Sequence, residues 1–276
     1  MVLSQRLSRR PVCMERGLPA ETQTLLITVQ GRKLEVQRIA GAKSDAATLV
    51  FLHEGLGSIS LWRDFPAHVV ARTGCHAVVY SRYGYGNSDV LQEARSVRFM
   101  HDEALQVLPE LLEKLAIREP VLIGHSDGGS IAILYAGAGK PARGLVLLAP
   151  HVFVEELGIR SIAAAKTAFE TTDLPQKLGQ HHTDAAQTFR GWNDIWLQPD
   201  FREWNIEEYL PKITCPVLAI QGYDDEYGTM AQLEAIAGKT GGPVETLRLR
   251  NCRHSPHRDQ PDAALDAISE FLSALR

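Results

Sequence analysis

The sequence predicts an α/β fold in which helices flank a doubly wound, mostly parallel sheet. The first observation is a set of short runs that are apolar at successive positions, as in strands buried on both faces; they occur at 48–52, 77–80, 121–123, 144–148 and 217–220. The second is helical periodicity between these runs, clearest at 101–115 and 263–275. The third is segment 151–211, which has many helix formers and no convincing strand, and which predicts a helical insertion.

The first elements of the chain are expected to be a leader and a hairpin. Residues 1–22 carry four arginines and lack the uninterrupted apolar region of a secretory signal, which predicts a loosely structured leader. Alternating polarity from residue 24 onward predicts strands at 24–30 and 33–39. Gly31-Arg32 between them is typical of a tight turn, so the two strands should pair antiparallel.

The remaining elements predict one domain with an insertion rather than two domains in series. Residues 23–150 and 212–276 form the predicted core, which ends with a strand at 244–249 and the helix after it. The insertion at 151–211 holds three of the four tryptophans. A chain of 276 residues is compatible with this organisation, because a single α/β domain can carry such an insertion.

The composition excludes several partners. The chain has 29 Lys+Arg against 33 Asp+Glu, a net charge of −4, and no basic run of the kind that a phosphate backbone requires, so nucleic acid is not an expected ligand. No apolar stretch is long enough to span a bilayer, so no membrane partner is expected. Four cysteines lack disulfide or metal spacing, which predicts reduced thiols, no metal site and a cytoplasmic location; they are Cys13, Cys75, Cys215 and Cys252.

The sharpest chemical signal is a G-x-S-x-G pattern, G-H-S-D-G at 124–128, directly after an apolar run and before a predicted helix at 128–138. A serine on such a strand-to-helix turn has strained backbone geometry, and Gly124 and Gly128 supply the room that the turn requires. The backbone N–H of Asp127 would lie beside the Ser126 hydroxyl, at the positive end of the helix. In this context the pattern favours a nucleophilic serine over a chance turn.

A serine nucleophile needs a base, and the base needs an acid to orient it. The run 217–220 is followed by two carboxylates, Asp224 and Asp225. The strand at 244–249 is followed by His254 and His257. The chain order of serine, aspartate and histidine is the order expected when the serine lies on a strand-to-helix turn of this kind.

Together these motifs resemble the α/β-hydrolase superfamily, specifically its small capped bacterial serine hydrolases, and the resemblance extends from Thr24 to the C-terminus. It implies an eight-stranded, mostly parallel sheet with a helical cap. It places the acid three residues after the glycine that ends its strand, which selects Asp225 over Asp224. It also aligns H-S-P-H-R-D-Q-P at 254–261 with the family's H-x-P-x-x-E-x-P, which selects His254 as the base.

The same resemblance assigns the second oxyanion donor to the loop H-E-G-L-G-S at 53–58, which is similar to the family's H-G-x-x-G-S. The backbone N–H of Gly55 is the expected donor, with that of Leu56 as the alternative. Glu54 stands where the family has a glycine. Because a carboxylate beside a forming oxyanion is unfavourable, we expect Glu54 to point away or to pair with a cation. The glycine-rich turn at 81–88 resembles the family's D-x-R-G-x-G-x-S, and a structural role is expected for it.

The insertion is expected to cover the site as a lid. Its aromatic residues either line an apolar pocket or pack into the lid's own core, and both interpretations remain open for Phe189, Trp192, Trp196, Phe201 and Trp204. The candidate pocket residues are Leu56, His125, Trp192, Trp196, Trp204 and His257, the last as a pocket-wall or surface residue rather than a base.

The predicted activity is hydrolysis of a small carbonyl substrate, with a carboxylic ester as the first choice, through a Ser-His-Asp triad and an acyl-enzyme. No cofactor is expected. A thioesterase or a carbon–carbon bond hydrolase or lyase would use the same triad, and fold alone does not separate them. A small-molecule receptor that keeps the triad with little turnover is the alternative from another class. The expected partner is a small-molecule substrate, and a homodimer stays open.

Overall fold

The computed structural model describes residues 21–44 and 46–275. Its strands form one sheet of eight, in the order β1-β2-β4-β3-β5-β6-β7-β8. The strands are β1 (Thr22–Val29), β2 (Arg32–Ile39), β3 (Thr48–Leu52), β4 (His76–Tyr80), β5 (Val121–His125), β6 (Gly144–Leu148), β7 (Val217–Gly222) and β8 (Val244–Leu249). The β1–β2 and β2–β4 pairs are antiparallel and the other five pairs are parallel. The predicted eight-stranded, mostly parallel sheet is therefore confirmed.

Helices cover both faces of this sheet. They are α1 (Phe65–Thr73), α2 (Phe99–Asp102), α3 (Leu108–Lys114), α4 (Asp127–Gly137), α5 (Glu156–Thr171), α6 (Leu174–Leu178), α7 (Ala185–Leu197), α8 (Ala231–Lys239), α9 (Pro256–Asp259) and α10 (Pro261–Ala274). Short 3₁₀ turns lie at Ser60–Trp62, Pro199–Glu203 and Glu207–Lys212. The helix predicted at 101–115 is in fact α2 and α3 joined by a π-helical turn, Glu103–Val107.

No helix among the described residues has the length and apolar character needed to cross a membrane.

The hairpin at the start of the sheet turns one residue earlier than predicted. Val29 pairs with Arg32, so the turn is formed by Gln30 and Gly31. Both turn residues have positive φ, 49° and 74°, which is the geometry of a two-residue hairpin turn that follows the twist of the strands. The sequence prediction of Gly31-Arg32 was wrong because a glutamine gives no signal for left-handed backbone.

The core consists of two apolar layers, one on each face of the sheet. Along β3, Val50 and Leu52 belong to one layer while Leu49 and Phe51 belong to the other. This alternation is the period of two that side chains follow along a strand. All residues of β5 and β6 are buried, because helices cover both faces at the centre of the sheet. That burial explains why the central strands have continuously apolar sequences.

The segment 151–211 contains α5, α6 and α7, and its only strand-like pairing among the described residues is a bridge between Phe153 and Asn205. The five aromatic residues whose role the sequence left open are all buried in the layer that also contains Val50; they are Phe189, Trp192, Trp196, Phe201 and Trp204. Most of the predicted leader, and Cys13 within it, lies outside the described residues.

Candidate active site

The site lies at the edge of the sheet where the parallel strands have their carboxyl ends, the usual place for ligands in open α/β sheets. Ser126 directly follows β5, His151 follows β6 by three residues, and Asp225 follows β7 by three residues. His254 follows β8 by five residues. Residues that are far apart in the chain therefore meet because each comes after a neighbouring strand.

Ser126 occupies a strained turn between β5 and α4, with φ 52° and ψ −118°. Its N–H donates to the carbonyl of Leu148 at 2.9 Å, and its carbonyl accepts the N–H of Gly129 at 2.8 Å. A Cβ on Gly124 would lie 2.3 Å from the Gly128 carbonyl oxygen, and a Cβ on Gly128 would lie 2.0 Å from that of Leu52. Both glycines are therefore required by close backbone contacts, as the motif predicts.

Replacing Gly128 with alanine should lower the free energy of unfolding by about 3 kcal/mol, because backbone atoms must separate to admit the new methyl group. Gly238 in α8 is the matched control: a Cβ there meets nothing within 4 Å, so Gly238→Ala should raise stability by up to about 1 kcal/mol through helix propensity. Urea unfolding followed by circular dichroism measures both. Equal effects of the two substitutions would contradict this account of the turn.

The buried Asp225 and the partly buried His254 form a hydrogen-bonded pair. The Nδ1–H of His254 donates to Oδ1 of Asp225 at 2.8 Å, and the same oxygen accepts the N–H of Tyr227 at 2.9 Å and that of Gly228 at 3.3 Å. Asp225 is 6% exposed, whereas Asp224 is an exposed side chain. The structure therefore distinguishes the two adjacent carboxylates. Asp225, which the resemblance selects, is the one that contacts His254.

The two members of the pair hold each other in the charged form. Burial raises the pKa of Asp225, but the charge of His254 and its hydrogen bond outweigh burial and lower that pKa below its ordinary value. Burial lowers the pKa of His254, but the charge of Asp225 and the shared hydrogen bond raise it above the ordinary 6.5. Because Nδ1 is used for Asp225, Nε2 is the nitrogen left to exchange a proton with another group.

Ser126 and His254 line one cavity of about 200 Å³, together with Asp127 and the loop residues Gly55 and Leu56. Segment 151–211 contributes Gly158, Ile162, Trp192 and Trp196 to the same cavity. Gly55 has no room for a side chain here, because a Cβ on it would lie 2.1 Å from the Trp192 indole nitrogen. Of the candidate pocket residues, Leu56, His125, Trp192 and Trp196 thus line the cavity.

The other two candidate pocket residues lie elsewhere, and the expectation that they line the pocket was wrong. Trp204 stacks on Phe201 with ring centroids 5.5 Å apart and is 7% exposed within the core. His257 packs beside Trp62 and Phe65, at 4.9 and 5.4 Å, and is 4% exposed. The neighbours of His257 are distant in sequence, and spacing along the chain does not reveal them.

The side chain of Glu54 pairs with positive and polar neighbours, one of the two outcomes expected for it. Its Oε1 lies 3.7 Å from Nη2 of Arg258, and its Oε2 lies 3.4 Å from Nδ1 of His125. Burial raises the pKa of Glu54, but His125 and Arg258 outweigh it and hold that pKa well below its usual range. His125 in turn donates from Nε2 to the carbonyl of His254 at 2.7 Å, which ties the histidine segment to β5.

Two rings beside His254 are among the cavity residues that the sequence analysis missed. The ring of His151 lies 5.5 Å from that of His254 and 5.4 Å from that of Trp196, and burial lowers the pKa of His151 to about 3. The ring of Tyr227 lies 4.7 Å from that of His254. The position of His151 just after an apolar run was a usable signal, because the same edge of the sheet holds Ser126.

The eight-stranded sheet with a serine on the turn between its fifth strand and the following helix defines the class: the protein is an α/β hydrolase. Residues 49–267 match the alpha/beta hydrolase family, to which the chain belongs.

The comparisons with individual proteins cover nearly the whole chain. The chain is 25% identical over 281 residues to a proline iminopeptidase of Lactobacillus acidophilus, covering 86% of this chain and 94% of that protein. Among solved structures it is similar to a bacterial membrane phospholipase A, with a TM-score of 0.75 and 20% identity over 92% of this chain and 87% of the other. It is also similar to a thermophilic esterase from Thermogutta terrifontis, with a TM-score of 0.70 and 19% identity over 92% and 99%. These structures share the fold.

Proposed function

We propose that the protein is a serine hydrolase of small carbonyl substrates, with carboxylic esters as the preferred class. The observation that carries the proposal is the Asp225–His254 hydrogen bond, because His254 lines the same cavity as the strained Ser126. A hydroxyl is a weak nucleophile at neutral pH, and a neutral imidazole with its Nδ1–H held by a carboxylate is the group that activates it.

In the proposed reaction Ser126 Oγ attacks the carbonyl carbon while Nε2 of His254 takes the hydroxyl proton. The carbonyl oxygen becomes an oxyanion, which the N–H groups of Gly55 and Asp127 stabilise. The tetrahedral intermediate collapses, and His254 gives the proton to the leaving alcohol as the bond to it breaks. A water molecule then repeats the sequence on the acyl-enzyme, and the acid leaves with Ser126 restored.

A second candidate is an aminopeptidase, and it is favoured by the relatives named proline iminopeptidase. Such a substrate carries an ammonium group beside the scissile carbonyl. Glu54 and Glu226 line the cavity, and either carboxylate could receive that group, although each already contacts an arginine. Thioesters and carbon–carbon bonds next to carbonyls remain further substrate classes for the same triad.

A substrate panel tests the choice. A cavity of about 200 Å³ is small for a ligand pocket, so p-nitrophenyl acetate and butyrate should have kcat/KM at least about 10-fold above p-nitrophenyl octanoate. The panel also contains butyryl thioesters and proline p-nitroanilide, and labelling with a fluorophosphonate reports an activated Ser126. Faster turnover of the proline amide than of any ester would overturn the ester assignment. Labelling of Ser126 with no turnover of any substrate would instead favour a small-molecule receptor that keeps the triad.

A further inference from the structure

Arg82 is a fully buried cation that the proposed reaction does not use. It lies two residues after the end of β4, within the glycine-rich turn at 81–88, and it is 1% exposed. Taking a guanidinium out of water is costly unless its donors and its charge are matched by partners. The positions of those partners therefore indicate what the residue does.

The first set of partners belongs to the loop that carries Gly55. Nη2 of Arg82 donates to the carbonyl of Glu54 at 2.9 Å. The backbone N–H of Arg82 donates to Nε2 of His53 at 3.0 Å, so the proton of neutral His53 is on Nδ1, which donates to the same Glu54 carbonyl at 2.7 Å. The N–H of Gly57 is the third donor to that oxygen, at 3.0 Å.

The hydrogen bonds to the Glu54 carbonyl oxygen also fix the direction of the Gly55 N–H. The Glu54 carbonyl and the Gly55 N–H belong to one planar trans peptide, so they point in opposite directions. Fixing the carbonyl oxygen toward Arg82 and His53 thus fixes the Gly55 N–H away from them. Gly55 lines the cavity beside Ser126, where the proposed oxyanion forms.

Arg82 also acts on two buried carboxylates, Glu103 and Asp127, and the second of these lies at the start of α4. Oδ2 of Asp127 is 3.8 Å from Nη2 of Arg82, and Asp127 is 1% exposed. Burial raises the pKa of Asp127 above its ordinary value, while the charges of Arg82 and Arg95 oppose that rise. Arg82 therefore supplies charge compensation to the residue whose backbone N–H is the other proposed oxyanion donor.

We propose that Arg82 is a positioning residue that fixes the Gly55 and Asp127 N–H groups relative to each other, so that both reach the same oxyanion. The inference rests on the proposed function of Ser126 as nucleophile. Because the oxyanion exists only in the transition state and intermediates, a misplaced donor should lower kcat and leave KM nearly unchanged. A residue that merely stabilises the fold would lower the active fraction, and with it the apparent kcat, but would leave the constant of an inhibitor that forms the same oxyanion unchanged.

The test measures p-nitrophenyl acetate hydrolysis and inhibition by a short alkyl trifluoromethyl ketone. Ser126 Oγ adds to the ketone carbon, its proton passes to His254, and the ketone oxygen becomes an oxyanion held by the same donors. Arg82→Met should lower kcat about 10- to 100-fold with KM within about threefold, and should raise the inhibitor constant by a similar factor. Arg82→Lys keeps the charge but loses the planar guanidinium with its paired donors. We therefore expect a smaller effect, with kcat about fivefold lower and the inhibitor constant about fivefold higher.

Arg95→Met is the matched control. The guanidinium groups of Arg82 and Arg95 both lie over the Tyr85 ring, at 4.8 and 4.9 Å, and both charges act on Asp127. Arg95 differs in donating to the carbonyl of Tyr83 rather than to that of Glu54. Its kcat and inhibitor constant should stay within about twofold of the wild type. Thermal unfolding identifies variants that do not fold, and if Arg82→Met fails to fold, Arg82→Lys decides.

Three results would overturn the inference: an Arg82 variant with kcat no lower than that of Arg95→Met, a rise in KM alone, or a lower kcat with an unchanged inhibitor constant. Ser126→Ala, assayed alongside, separates this failure from that of the proposed function. If Ser126→Ala is inactive while the folded Arg82 variants keep wild-type kinetics, only the role of Arg82 is wrong. If the wild type has no turnover, or Ser126→Ala retains it, the proposed function fails and the inference fails with it.

Discussion

Replacing Ser126 with alanine should reduce kcat for p-nitrophenyl esters by about 10⁴- to 10⁶-fold and abolish fluorophosphonate labelling. The covalent step needs an oxygen nucleophile at the turn, and alanine leaves only the polarising N–H groups and substrate binding. The fold should survive, because the Ser126 hydroxyl is not needed for the backbone bonds to Leu148 and Gly129. Steady-state kinetics and thermal unfolding measure the two effects separately.

Ser130→Ala is the control for this substitution. Ser130 is also buried in α4, but its hydroxyl donates to the carbonyl of His151 at 2.6 Å instead of lining the cavity. Its loss should cost about 1 kcal/mol of stability and leave kcat within about threefold. A Ser126→Ala protein that hydrolyses esters at the wild-type rate would refute the proposed mechanism.

Replacing Asp225 with alanine should lower kcat by about 10⁴-fold, because His254 loses both the group that orients its ring and the charge that stabilises its protonated form. The neighbouring residue provides the control: Asp224 is exposed, and Asp224→Ala should behave like the wild type. The reverse outcome, with activity lost in Asp224→Ala and retained in Asp225→Ala, would show that the acid was assigned to the wrong residue.

The pH profile gives a second readout for the same variant. His254 must be neutral to accept a proton, so wild-type kcat/KM should fall as the pH decreases through a His254 pKa that lies above 6.5. Removing Asp225 removes the interaction that raises that pKa while burial continues to lower it. The acidic limb of the residual activity should therefore move to lower pH. If the acidic limb of the Asp225→Ala profile stays at the wild-type pH, the group that titrates there is not His254.

Local sequence patterns predicted the strands and the serine turn because their causes are local. A strand buried on both faces must be apolar at every position, as in β6, and the turn at Ser126 requires Gly124 and Gly128 for steric reasons that act within a few residues. The hairpin turn was displaced by one residue because Gln30 adopts positive φ, which its side chain does not favour.

The surroundings of the site were less predictable because contacts between distant elements form them. His257 and Trp204 have the residue types of a pocket wall, yet each is enclosed by other rings, while His151 lines the cavity. The aromatic periodicity of α7 was compatible with a pocket and with a core. Packing shows that Trp192 and Trp196 belong to the core layer and also line the cavity, whereas Phe189 lies in the core layer alone.

The sequence by itself determined the fold class and the candidate nucleophile, since apolar runs and glycine sterics act over a few neighbouring residues. For the acid and the base it offered two carboxylates and two histidines, and the family resemblance selected one of each. Only the tertiary structure decided which carboxylate contacts His254, where the side chain of Glu54 lies, and that the buried Arg82 contacts both proposed oxyanion segments. The physical reason is that hydrogen-bond geometry and burial depend on where strands and loops meet in space. Residues such as Glu54, Arg82 and Asp127 acquire their partners only there.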